Sequence, residues 1–163
     1  MSAIFNVLQL EAPEPYAEQV TFRRPMLNQS AAIAMLDLSE QQLRREIERG
    51  RIKWVFNLGV GAKHHVQILV RSLANYGDRT IIQPATVEGV ADLILPPESA
   101  SSGTVRGTEL QSALNIRSQI VARLINAGLI EEASESQSHQ GRSGSPVITR
   151  ESVVRLLAAR RIK

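Results

Sequence analysis

Cysteine is absent from this chain, so disulfides and thiolate metal sites are both excluded. That absence suits a reducing compartment, and a cytoplasmic location is expected. Aromatic residues are scarce, and every Phe, Trp and Tyr lies at or before Tyr76, so any core built later in the chain must be aliphatic. No apolar run approaches the ~18 residues of a membrane helix, and the N-terminus lacks the charged-then-apolar layout of a secretory signal; no membrane partner is expected. Charge of neither sign is in great excess, the net value being +3. The sequence GVGAKHH lacks the spacing of a phosphate-cradling glycine loop followed by Lys-Ser/Thr. No Ser–His–acid set is suggested by spacing, and the His64–His65 pair has no carboxylate or cysteine near it at ligand spacing. The chain therefore reads as a non-enzyme, with no catalytic residues, no metal site and no cofactor.

What is present is a repeat. Residues 36–52, LDLSEQQLRREIERGRI, return as residues 114–130, LNIRSQIVARLINAGLI, at a single offset of 78. Leu36, Gln41, Arg45, Ile47, Gly50 and Ile52 recur as Leu114, Gln119, Arg123, Ile125, Gly128 and Ile130. Self-similarity at a fixed offset means one structural unit built twice. Each copy reads as a helix ending at the leucine, a sharp turn at Asp37 or Asn115, and a short second helix. Asp and Asn are the non-glycine residues that best tolerate the left-handed backbone such a turn needs. Ser39 and Gln42 form an S-x-x-Q capping box. Arg117 replaces the serine in the second copy, which predicts a weaker helix start. Leu43 and Ile47, or Val121 and Ile125, supply the buried stripe. Gly50 and Gly128 stop the helix in a left-handed position.

After each copy come two strand-like segments around a polar tip, then a helix. The first runs RIKWVFNL, GVGAKHH, VQI and RSLANY; the second runs LIEEA, SESQSHQGRSGS, PVI and a helix capped by Thr149. Ile68 and Ser72 match Ile148 and Ser152 at an offset of 80, so the second tip is two residues longer. The predicted fold class is mainly α with small β-wings, as two tandem winged helix–turn–helix domains. The predicted layout is an N-terminal arm over residues 1–28, a first domain over 29–76, a connector over 77–107 with a helix near 86–95, and a second domain over 108–163. PPESASSG, within the connector, reads as a helix stop and a polar linker. Trp54 and Phe56 are assigned to the core, with stacking on bases as the alternative.

Positive charge follows the repeats. Residues 23–79 hold ten Lys/Arg against five Asp/Glu, and residues 99–163 hold nine against five, the distribution that nucleic-acid binding requires. In this architecture the outward, N-terminal residues of the second helix enter the major groove. Glu40, Gln41, Arg44 and Arg45 are the candidates in the first copy: Gln41 for adenine, Arg44 or Arg45 for guanine or phosphate, and Glu40 for cytosine. A solvated helix face laced with pairs such as Glu40–Arg44 is the alternative. Arg117, Ser118, Gln119 and Arg123 hold the corresponding positions in the second copy. Lys63 and His64 at the first wing, and His139 and Arg142 at the second, are candidate phosphate or minor-groove contacts. Arg23 and Arg24, just before the first helix, are either phosphate contacts or a solvated basic pair. The closing AARRIK places cations where they favour a helix dipole.

The pattern L-x-x-S-x-x-x-L-x-x-x-I-E-x-G-R-I over residues 36–52, with its wing and helix, resembles the winged helix–turn–helix of excisionase and MerR-type DNA-binding proteins. The tandem form is similar to the C-terminal region of TniQ-like transposon target-selection proteins. The resemblance covers residues 29–76 and 108–161, and it departs from the usual pattern at Asp37 and Asn115, where glycine is the rule. It implies sequence-specific binding of double-stranded DNA by two heads, in a nucleoid-associated protein. The implied role is an accessory factor of recombination or transposition, acting in excision directionality or target-site recognition, or a transcriptional regulator. The contrasting reading is an adaptor that docks a recombinase or transposase, with one or both winged domains not touching DNA. The oligomeric state stays open.

Overall fold

A computed structural model describes residues 24–74, 82–134 and 144–162. These form eight helices and six strands, a mixed arrangement in which the strands gather into two small sheets. The first unit contains β1 (Met26–Asn28), α1 (Gln29–Leu36), α2 (Glu40–Glu48), β2 (Val55–Asn57), β3 (Val66–Leu69) and α3 (Val70–Ala74). Helices α4 (Val87–Ile94) and α5 (Ser99–Ser102) follow. The second unit contains β4 (Thr104–Arg106), α6 (Gly107–Leu114), α7 (Ser118–Asn126), β5 (Val147–Thr149) and α8 (Arg150–Arg160), and the chain continues into β6 (Arg161–Ile162).

The repeat extends to individual hydrogen bonds. Asp37 and Asn115 both sit at φ 52, with ψ 44 and 46. The turn is closed in one copy by Leu38 N–H donating to the Ile33 carbonyl (3.2 Å), and in the other by Ile116 N–H donating to Gln111 (3.0 Å). The capping box is complete in α2: Ser39 N–H donates to Gln42 Oε1 at 2.7 Å, and Gln42 N–H to Ser39 Oγ at 3.2 Å. Arg117 gives α7 no side-chain cap. Gly50 and Gly128 have φ +69 and +68, and both donate to the isoleucine three residues back at 2.9 Å. Further on, Ser72 Oγ accepts from Lys53 N–H at 2.9 Å, and Ser152 Oγ accepts from Glu131 N–H at 3.0 Å. The match also runs upstream of the helices. Leu27 pairs with Ile68, and Val105 with Ile148. Strands β1 and β4 are three residues each, too short for an alternation to show in sequence.

Two local expectations need correction. PPESASSG is more than a linker: the Pro96 and Pro97 carbonyls accept from Ser99 and Ala100 (2.9 and 3.2 Å), starting a turn of helix that ends at left-handed Gly103. Thr149 stands at the N-cap of α8 but makes no side-chain capping bond; its carbonyl instead accepts from Ser152 Oγ at 2.8 Å.

The sheets join what the repeat duplicates. The larger has the order β1-β3-β2-β6, all antiparallel, and its last strand comes from the end of the chain. Ile162 pairs with Val55 and Arg161 with Phe56. The Arg161 guanidinium lies 3.9 Å from the centre of the Trp54 ring. Arg161 thus serves a strand and a cation–π contact, while Arg160 stays in the last turn of α8, where a cation favours the helix dipole. Alternation along the strands gives this sheet two buried faces. Leu27, Val55 and Ile68 pack on Ala32, Leu43 and Ile52 of the first unit. Met26, Trp54, Phe56 and Leu69 face the other way, into one core with Val90, Ala91 and Ile94 of α4 and with Leu110, Leu114, Leu124 and Leu157 of the second unit. Polar ties follow the same seam. Gln67, fully buried, donates to the Asn115 carbonyl at 3.3 Å and accepts from Asn115 Nδ2 at 3.4 Å. Arg150 Nη2 donates to Asp92 Oδ1 of α4 at 2.5 Å.

Candidate functional site

Helix α2 is placed by its buried stripe. Leu43 is 1% exposed and Ile47 partly buried, which turns Glu40, Gln41, Arg44, Arg45 and Glu48 to solvent. Arg44 reaches back to Glu40 at 3.7 Å, both side chains remaining well exposed. Such an i,i+4 pair contributes only about 0.3–0.5 kcal/mol, so Arg44 is readily recruited by another anion. Arg45 has no acidic partner among the described residues.

Beside this helix runs a groove of about 480 Å³, lined by Gln29 at the start of α1, by Glu40, Leu43, Arg44, Ile47 and Glu48 of α2, by His64 and Val66 of the hairpin, and by Ile162 of the closing strand. Its floor is apolar (Leu43, Ile47, Val66, Ile162) and its rim carries charges of both signs. The structure therefore brings Glu40, Arg44 and His64 together. Gln41, Arg45 and Lys63 are exposed nearby in sequence but do not line the groove.

The hairpin tip is held by one asparagine. Asn57 Oδ1 accepts from Gly59 N–H (3.1 Å) and His65 N–H (2.9 Å). This fixes its amide so that Nδ2 donates to His64 Nδ1 at 3.0 Å, leaving the His64 proton on Nε2. At Gly59 any Cβ would run into the Lys63 carbonyl, so glycine is required where the two strands approach. His65 behaves differently from its neighbour. Its Nε2 accepts from Gln67 Nε2 at 3.0 Å, and burial holds its pKa below the usual imidazole value. Through Gln67, which also bonds Asn115, it joins the seam between the units. Burial also lowers the pKa of Arg71, whose Nε donates to the Ile82 carbonyl at 2.7 Å.

In the second unit Arg117, Ser118, Gln119 and Arg123 are all exposed on or just before α7, with Leu124 and Val121 buried behind them. Arg24 is exposed. Arg23, His139 and Arg142 lie outside the described residues. Among the described residues no three His, Cys, Asp or Glu side chains come close enough to hold a metal ion, and no helix is long and apolar enough to cross a membrane.

Sequence reasoning misses the far end of α2. Glu46 is 7% exposed, although its neighbours on the helix are polar. Its Oε1 accepts from Arg51 Nη2 at 2.6 Å, Oε2 lies 2.6 Å from Arg51 Nε, and Arg49 Nη1 is 3.5 Å from Oε1. The signal is the step of three from Leu43, which puts Glu46 beside Ile47 on the inner side. A carboxylate there contradicts hydrophobic patterning, which hides it from a search for apolar stripes.

No protein-family model matches the chain, and no curated protein and no solved structure is significantly similar to it.

Proposed function

We propose that the two units are tandem winged helix–turn–helix domains and that the chain binds duplex DNA through them, α2 and its hairpin forming the principal head. The observation that carries this reading is the exposed Arg44–Arg45 pair of α2, which the core packing does not use and of which Arg44 lines a groove together with His64 of the hairpin. The turns at Asp37 and Asn115 expose the first turn of the following helix, where major-groove readers place their base contacts. Gln41 and Arg45, repeated as Gln119 and Arg123, suit adenine and guanine or phosphate. The resemblance to excisionase, MerR-type and TniQ-like proteins supports a role in excision directionality, target-site recognition or transcriptional control, at the nucleoid.

Arg44→Ala and Arg45→Ala are each expected to weaken duplex binding by about tenfold or more, the scale of one bidentate base pairing. Thermal stability should barely move, because exposed substitutions change it by about 0.5 kcal/mol or less. Fluorescence anisotropy on a labelled duplex, with a melting curve for each variant, measures both. Affinity preserved in both variants would remove α2 as the reading helix.

One observation favours a second reading. The groove floor is apolar and its rim holds Glu40 and Glu48, both unfavourable beside phosphate. An adaptor docking a recombinase or transposase would use this groove, and its binding would be nearly insensitive to salt.

A further inference from the structure

The two copies of the repeat form an internal control for the Glu46 cluster. At an offset of 78, Glu46, Arg49 and Arg51 correspond to Leu124, Ala127 and Leu129. The backbone is the same in both. Arg51 N–H donates to the Glu46 carbonyl at 3.0 Å and Leu129 N–H to Leu124 at 2.9 Å; Arg49 N–H donates to Arg45 and Ala127 N–H to Arg123, both at 2.9 Å. Gly50 and Gly128 follow in the same left-handed conformation. Leu124 is fully buried where Glu46 is 7% exposed. One helix end is therefore built twice, once around a carboxylate with two guanidiniums and once from apolar residues alone.

This comparison removes the structural explanation for the charged set. Burying a carboxylate carries a desolvation penalty that its ion pairs offset only with good geometry, and an apolar replacement of similar volume is often neutral or stabilising. Nor is a helix dipole the reason, since α7 ends without the equivalents of Arg49 and Arg51. What the charged set alone supplies is two guanidiniums whose side chains stay 62% and 56% exposed beside one buried carboxylate, Arg51 held by two contacts of 2.6 Å and Arg49 drawn to it at 3.5 Å. A guanidinium fixed in this way gives up less conformational freedom on meeting an anion.

We infer that Arg49 and Arg51, oriented by Glu46, form a phosphate clamp for the nucleic-acid backbone at the C-terminal end of α2. The inference rests on the DNA-binding reading and adds an anchoring point to it. Gln41, Arg45 and Arg49 succeed one another at steps of four and so form one row, about 12 Å long at 1.5 Å per residue. The row runs from the base-reading end of the helix to the clamp. The two ends then have different duties: Gln41 and Arg45 discriminate sequence, whereas Arg49 and Arg51 attract any phosphodiester. The second unit keeps the first duty in Gln119 and Arg123 and lacks the clamp, so it binds backbone more weakly.

The test transplants the second unit's residues into the first, as Glu46→Leu, Arg49→Ala and Arg51→Leu together in the full chain. The melting temperature should be maintained. Affinity for a short duplex should fall by the same factor on every sequence tried. The slope of log K against log salt should become shallower by about 1.8, at about 0.9 for each phosphate no longer neutralised. Arg49→Ala alone leaves the Glu46–Arg51 pair in place. It keeps the test decisive if the triple variant fails to fold, with an expected slope change of about 0.9. If wild type binds duplex and Arg44→Ala weakens it while these variants bind with unchanged affinity and slope, the clamp is refuted and the DNA-binding reading stands. If wild type fails to bind duplex at all, both fall.

Discussion

Phe56→Ala should destabilise the whole chain by about 3–5 kcal/mol, the usual cost of removing a large aromatic from a packed core. Both units should then melt together, in a single transition at lower temperature. Phe56 is fully buried and stacks with Trp54 at 6.3 Å between ring centres. It belongs to the first unit's sheet, yet the cluster it joins includes α4 and the α6, α7 and α8 helices of the second unit. A cavity there weakens the packing of both. Calorimetry on the full chain decides the matter. Two separated transitions, of which only one shifts in the variant, would show that the units are energetically independent despite the shared core.

Gly50→Val and Gly128→Val should each cost about 1–2 kcal/mol, the penalty for holding a residue with a Cβ in the left-handed region. At both positions an added Cβ would meet no atom within 4 Å, so steric crowding does not enter and the cost is that of the backbone alone. A control follows from the same argument. Asn tolerates this conformation, as Asn115 does at φ 52, so Gly50→Asn should cost much less than Gly50→Val. Chemical denaturation of the three variants measures the difference. Equal destabilisation by Val and Asn would mean that something other than φ makes glycine necessary here.

The elements legible in the sequence are those with a local cause. A left-handed turn needs Asp, Asn or Gly; a capping box needs Ser and Gln three apart; a helix stop needs glycine. All of these are properties of a few consecutive residues, and the structure has them at Asp37, Asn115, Ser39, Gln42, Gly50 and Gly128. Size and alternation place Trp54 and Phe56 in a core, but do not say which core. Their side of the sheet meets the second unit, and nothing local to RIKWVFNL specifies a partner far along the chain. Strand β6 is hidden for the same reason: RIK after a helix carries no strand pattern, and Arg161 and Ile162 extend only because β2 offers an open edge and Trp54 a ring face. At the site, the outward face of α2 follows from Leu43 and Ile47. The groove does not, since it needs Ile162 and His64 brought to the helix by tertiary packing.

The most direct test of the central claim is a titration of the intact chain with a mixed-sequence duplex over a range of salt concentrations. About three to five phosphate contacts, from the α2 arginines and the hairpin, predict log K falling against log salt with a slope of about −3 to −5. Absence of binding at ~50 mM salt, or binding whose affinity is indifferent to salt, would contradict the claim and leave the apolar groove beside α2 as the functional surface.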